Sequence, residues 1–93
     1  MSVTQLSHFY QVIKEDNRIS PTHISVYMAL FERWNANNFT GPVCFRRTEL
    51  MESAKINGIA TYHKCIKDLA DFGYIRYVPS FNPAVANLAY LLE

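Results

Sequence analysis

The stretch 50–78 constrains this chain most: two short helical patterns meet at Ile56-Asn57-Gly58, and the second stops at Gly73 against a β-prone run. Leu50, Met51 and Ala54 share one helix face, and Asn57 and Gly58 tolerate the left-handed backbone that ends a helix and redirects the chain. A second helix is predicted over 59–72, with Tyr62, Ile66, Leu69 and Phe72 on its buried side. Gly73 stops it, and Tyr74-Ile75-Arg76-Tyr77-Val78 reads as a strand. Helix, tight turn, helix and strand in so little chain leave few arrangements open.

Upstream, Leu6, Phe9, Tyr10 and Ile13 recur at spacings of three and four, the stripe of an amphipathic helix over 3–13. Ser20-Pro21 then gives a helix start: a hydroxyl to cap free N–H groups, followed by Pro at the first helical position. That helix carries Ile24, Tyr27, Met28, Phe31 and Trp34 as its core face and ends near Asn37-Asn38, before Thr40-Gly41-Pro42. Val43-Cys44-Phe45-Arg46 is a short strand, and Thr48 is placed to cap the next helix, with Glu49 in its first turn. After the strand at 74–78, 79–83 reads as a loop and 87–92 as a returning strand. The predicted fold is a single α+β domain over 1–93, with four helices, one short strand and a C-terminal β-hairpin.

A chain of 93 residues supports one modest core. With half its residues apolar and six Phe, six Tyr and one Trp, it has a globular composition and not a disordered one. Cys44 and Cys65 are too few for a disulfide scaffold and lack metal-ligand spacing, and His8, His23 and His63 are scattered. No phosphate-binding Gly loop or nucleophile motif is present, so neither enzymatic activity, metal nor cofactor is expected. No segment reads as a signal peptide or membrane span, and a reduced cytoplasmic protein is the default. Leu92-Glu93 has the form of a cloning remnant, which would carry the natural chain further.

Two short helices joined by a Gly-containing turn and followed by a hairpin form the arrangement in which the second helix can enter a DNA major groove. With Tyr62, Ile66 and Leu69 inward, Ala60, Thr61, His63, Lys64 and Lys67 point outward. Gly58 and Ala60 permit close approach, Thr61 can reach a phosphate or thymine methyl, and His63 and Lys64 can read purine acceptors. Arg46, Arg47, Thr48, Lys55, Asn57 and Arg76 complete the predicted contact set, the two adjacent arginines as phosphate clamps. The net charge of +1 weighs against a nucleic-acid partner unless cations cluster locally. At most about six phosphates can be neutralised, giving a logarithmic salt slope no steeper than roughly −5 per protomer.

The segment Thr61-Tyr62-His63-Lys64-Cys65-Ile66-Lys67-Asp68-Leu69, followed by Phe72-Gly73-Tyr74-Ile75-Arg76-Tyr77-Val78-Pro79-Ser80, resembles the winged helix-turn-helix proteins of Bacteroides-type bacteria and their mobile elements. Pro21-Thr22-His23-Ile24-Ser25 through Trp34-Asn35 is similar to the same group, so the resemblance covers most of the chain. It implies a helix-turn-helix at about 48–72 and a wing at about 74–92, with helix 59–72 as the DNA reader. It also implies a wing that touches backbone or minor groove, in a regulator of transcription or an accessory factor of a mobile element. The chain departs from the group where Ala84-Val85-Ala86-Asn87 stands in place of a Gly-Ser-basic stretch, leaving the wing without cations.

Double-stranded DNA is therefore the expected partner. A homodimer joined through the first two helices would place two reading helices about 34 Å apart; an exposed part of Phe9, Tyr10 or Trp34 would mark its interface, though burial is predicted for each. The alternatives are a protein partner held by an apolar wing around Phe81, Val85 and Leu88, and a domain of a longer replication or recombination protein.

Overall fold

The computed structural model describes residues 2–82 and 84–92. The described chain runs α1 (Ser2–Lys14), α2 (Pro21–Ala36), β1 (Val43–Phe45), α3 (Arg47–Ala54), α4 (Ile59–Asp71), β2 (Ile75–Val78) and β3 (Asn87–Leu91). Pro83, in the predicted loop, and Glu93, at the end of the chain, lie outside the described residues.

The three strands form one antiparallel sheet in the order β1-β3-β2, so the last strand returns between the other two. Ala89 is fully buried at the centre, opposite Val43 on one side and Tyr77 on the other. Its lack of bulk lets both neighbours close on the helices. The buried face of the sheet, with Phe45 and Ile75, meets Val26, Leu30, Leu50, Ile66 and Leu69 in a single core. The product is an α+β unit with a Cα radius of gyration of 12.5 Å, as a single folded domain of this length should have.

Three helices end in the same way. Asn38, Lys55 and Gly73 take left-handed backbone, at φ of 56°, 63° and 88°. Around each, paired bonds close the last turn: Asn38 and Phe39 N–H to the Asn35 and Trp34 carbonyls, Lys55 and Ile56 to Glu52 and Met51, Gly73 and Tyr74 to Ala70 and Leu69. This satisfies carbonyls that a helix end otherwise leaves orphaned. Gly73 is thus the predicted stop. The turn between α3 and α4 differs from expectation: Lys55, not Asn57 or Gly58, is left-handed, and Gly58 is extended at φ −91° as the residue before α4. The reason is tertiary. Ile56 must enter the core directly after α3, and Ser25 Oγ holds the Ala54 carbonyl, which fixes the turn at Lys55.

Other corrections have similar causes. α3 starts at Arg47, with Arg46 extended before it, so Thr48 lies inside the first turn and is not the cap; Glu49 Oε1 accepts the Arg46 N–H at 3.3 Å. The buried Phe45 ends β1, and the chain turns immediately. At α2, the Ser20 hydroxyl lies 2.7 Å from His23 Nδ1, and that same nitrogen accepts the Ser20 N–H at 2.9 Å. On α1 the buried stripe is Gln5, Phe9 and Ile13, which rotates Tyr10 outward to 58% exposure, while Met28 on α2 is 39% exposed. Both were expected in the core. Periodicity locates an apolar stripe but not its centre, and the stacking of Phe9 on Tyr27, centroids 3.6 Å apart, sets the rotation of α1. No helix of the described residues is long and apolar enough to cross a membrane.

Candidate nucleic-acid interface

α4 is buried on one side by Tyr62, Cys65, Ile66 and Leu69. The positions predicted to face outward, Ala60, Thr61, His63, Lys64 and Lys67, are all exposed, as are Asn57 and Gly58 before them. A Cβ on Gly58 would meet only the Thr61 side chain, nearest at an ordinary 3.5 Å, so internal packing does not demand glycine there. The first turns of α4 therefore present small and hydrogen-bonding groups on a helix held firmly from behind.

The charge on that helix is less available than its lysines suggest. Lys64 Nζ lies 2.7 Å from Asp68 Oδ2, and Lys67 Nζ lies 2.6 Å from Asp71 Oδ2, each one helical turn apart. The hydrogen bond to Asp68 raises the Lys64 pKa, and the bond to Asp71 raises that of Lys67. Asp68 is held below the usual carboxylate range by Lys64 first and His23 second. Because His23 Nδ1 accepts the Ser20 N–H, its ring proton belongs on Nε2, which donates to Asp68 Oδ2 at 2.9 Å. A buried histidine thus ties the start of α2 to the middle of α4 and orients the carboxylate that holds Lys64. Sequence reasoning passed over His23; its spacing of three from Ser20, that of a capping box, was the available signal.

A second concentration of cations lies at the start of α3. Arg46, Arg47 and Thr48 line a cleft of about 430 Å³ together with Ser80, Asn82, Val85, Ala86 and Asn87 from the loop between β2 and β3. No carboxylate is among these lining residues. Tyr62, on the buried side of α4, holds its hydroxyl beside Tyr77 and within the electrostatic reach of Arg47. Burial, then Tyr77, holds the phenol above its ordinary pKa, while Arg47 pulls it down. The start of α3 and the hairpin loop thus line one cleft.

Lys55 sits exposed at the other end of α3. Arg76 is set apart, because strand alternation turns Ile75 and Tyr77 toward the core and Arg76 away, where its guanidinium lies 5.2 Å from the centre of the Tyr90 ring. In the hairpin, Phe81 and Val85 of the loop are exposed and Leu88 of β3 is half-buried. On the far side of α2, Leu6, Tyr10, Ile13, Ile24 and Met28 line a shallow groove with no charged residue. Comparison of the chain with protein-family models, curated proteins and solved structures returns no match in any of the three.

Proposed function

We propose that this chain is a winged helix-turn-helix domain that binds double-stranded DNA, with α3 and α4 as the helix-turn-helix and the β2–β3 hairpin as the wing. The observation that carries the reading is the cleft that the Arg46–Arg47 pair at the start of α3 shares with Ser80, Asn82 and Asn87 of the hairpin, and α4 separately offers exposed Ala60, Thr61 and His63. The topology is compatible with it, since a returning strand inserted between β1 and β2 leaves the hairpin loop beside the helix-turn-helix. Lys64 and Lys67 are paired with carboxylates one turn away, so α4 contributes mainly shape and hydrogen bonds, and Arg46 and Arg47 lie in a cleft lined by no carboxylate. The resemblance of 61–80 to regulators and accessory factors of mobile elements supports a role in transcription control or element mobility.

Anisotropy titration of a labelled random duplex at two salt concentrations tests this reading. Wild type should bind more weakly at higher salt, and Arg46→Ala/Arg47→Ala should lose more affinity than Lys64→Ala/Lys67→Ala. No binding at low salt would overturn the reading.

One observation favours a second reading, a module that binds protein through its wing: Phe81 and Val85 are exposed on a loop that carries no charge. Under that reading the arginine substitutions have no effect on partner capture.

A further inference from the structure

Phe81 is 95% exposed, more than any other large apolar residue described; Tyr10 follows at 58%. Its ring contributes nothing to the core. The loop around it uses up its own polar groups: Asn82 N–H donates to Ser80 Oγ at 3.2 Å, Ala84 N–H to Asn82 Oδ1 at 3.0 Å, Val85 N–H to the Asn82 carbonyl at 2.9 Å, and Ser80 N–H to Asn87 Oδ1 at 2.9 Å. Phe81 is left as the projecting group of a loop whose neighbours on either side, Ser80 and Asn82, line the cleft with Arg46 and Arg47. Residues 77–92 contain no charged side chain, so the loop can pass between phosphates without repulsion and without a cation of its own.

An apolar pocket on a protein would accept the ring alone, whereas the ring here stands beside a cleft that holds two guanidiniums. A duplex offers both features side by side: phosphates for the arginines, and a groove whose base steps admit an apolar wedge. We propose that Phe81 enters the minor groove next to the α4 contact and partly unstacks one base step, with Arg46 and Arg47 holding the flanking phosphates. This rests on the DNA reading above and adds to it a deformation of the DNA, with preference for easily unstacked pyrimidine–purine steps.

The probe is a duplex enriched from a random pool by the wild-type chain and substituted with 2-aminopurine at successive positions. Wild type should raise the fluorescence at one step. Phe81→Ala should abolish that rise and weaken binding roughly tenfold, the scale of one lost aromatic–base contact. Phe81→Trp should keep the rise and show quenching of the new indole. Each substitution is at a solvent-facing position and should leave the thermal unfolding curve unchanged. Phe81→Ala that binds and unstacks like wild type overturns the wedge and leaves the DNA reading standing. Wild type that fails to bind any duplex at low salt overturns both, and retention of protein capture by wild type but not Phe81→Ala would then assign the ring to a protein partner.

Discussion

Lys55 adopts a backbone that asparagine or glycine would take at less cost, and it does so beside the proposed DNA surface. A non-glycine residue in this region carries strain of about 1–2 kcal/mol, partly offset because glycine would gain about 0.4–1 kcal/mol of chain entropy when unfolded. Lys55→Gly should therefore stabilise the domain by about 0.5 kcal/mol in urea unfolding. If Lys55 meets a phosphate, the same variant should flatten the salt slope of DNA binding by about one unit. Tyr62 gives a sharper test of packing. Its hydroxyl is buried and makes no well-formed hydrogen bond, though Tyr77 stands beside it, so Tyr62→Phe removes a desolvated polar group and should raise stability by about 1 kcal/mol. A loss of that size in the unfolding midpoint would mean that the hydroxyl is bonded. Neither residue announces its state in the sequence. Gly73 did, because a glycine after a helical run has an evident use; a lysine in the same backbone is forced there by Ile56 and Ala54, which bind to parts of the chain far from it.

Among the elements, α4 was the most legible and its electrostatics the least. The bounds 59–72 and the inward residues Tyr62, Ile66 and Leu69 agree with the helix at Ile59–Asp71, whereas Phe72, also expected inward, is the half-buried C-cap with the Arg18 guanidinium over its ring. The pairing of both lysines was also readable as i, i+4 spacing, but the sequence reading treated Lys64 and Lys67 as cations facing DNA. Asp71 is half-exposed, and Asp71→Asn should release Lys67 without disturbing the core. Under the DNA reading, affinity at low salt rises severalfold and the logarithmic salt slope steepens by about one. Unchanged binding would remove Lys67 from the interface. α1 and α3 were less legible at their edges. A four-residue stripe left the rotation of α1 open by one position, and the entry to α3 depended on where Phe45 is buried.

At the scale of the whole molecule, contacts between distant segments decide what the sequence could not. His23 meets Asp68, Ser80, Asn82 and Asn87 share a cleft with Arg46 and Arg47, and Asp16 accepts a 2.7 Å bond from Tyr74 Oη. The last of these joins the α1–α2 connection to the entrance of β2 and makes stability respond to pH at both extremes. Asp16 is held well below the usual carboxylate range by Arg18 and Tyr74, so its contribution is present above its unfolded pKa and is lost as pH falls below about 4. Tyr74 is pushed up to about 12 by burial first and Asp16 second. Its contribution is complete below about pH 10, declines from there and is gone above about 12. Thermal unfolding across pH should show both limbs, and Asp16→Asn should flatten the acid limb; an acid limb as steep in the variant as in wild type would contradict the assignment. Self-association through the uncharged α1–α2 groove remains an expectation for sedimentation equilibrium to decide.

The central claim is that one surface, built from the start of α3, the first turns of α4 and the hairpin loop, receives DNA. Amide chemical-shift mapping of the labelled chain against a duplex selected from a random pool tests it most directly. Shifts should concentrate at 46–48, 57–64, 80–82 and 84–87, with Leu6, Tyr10, Ile24 and Met28 unmoved. Shifts confined to the α1–α2 groove, or none at saturating duplex and low salt, would contradict it.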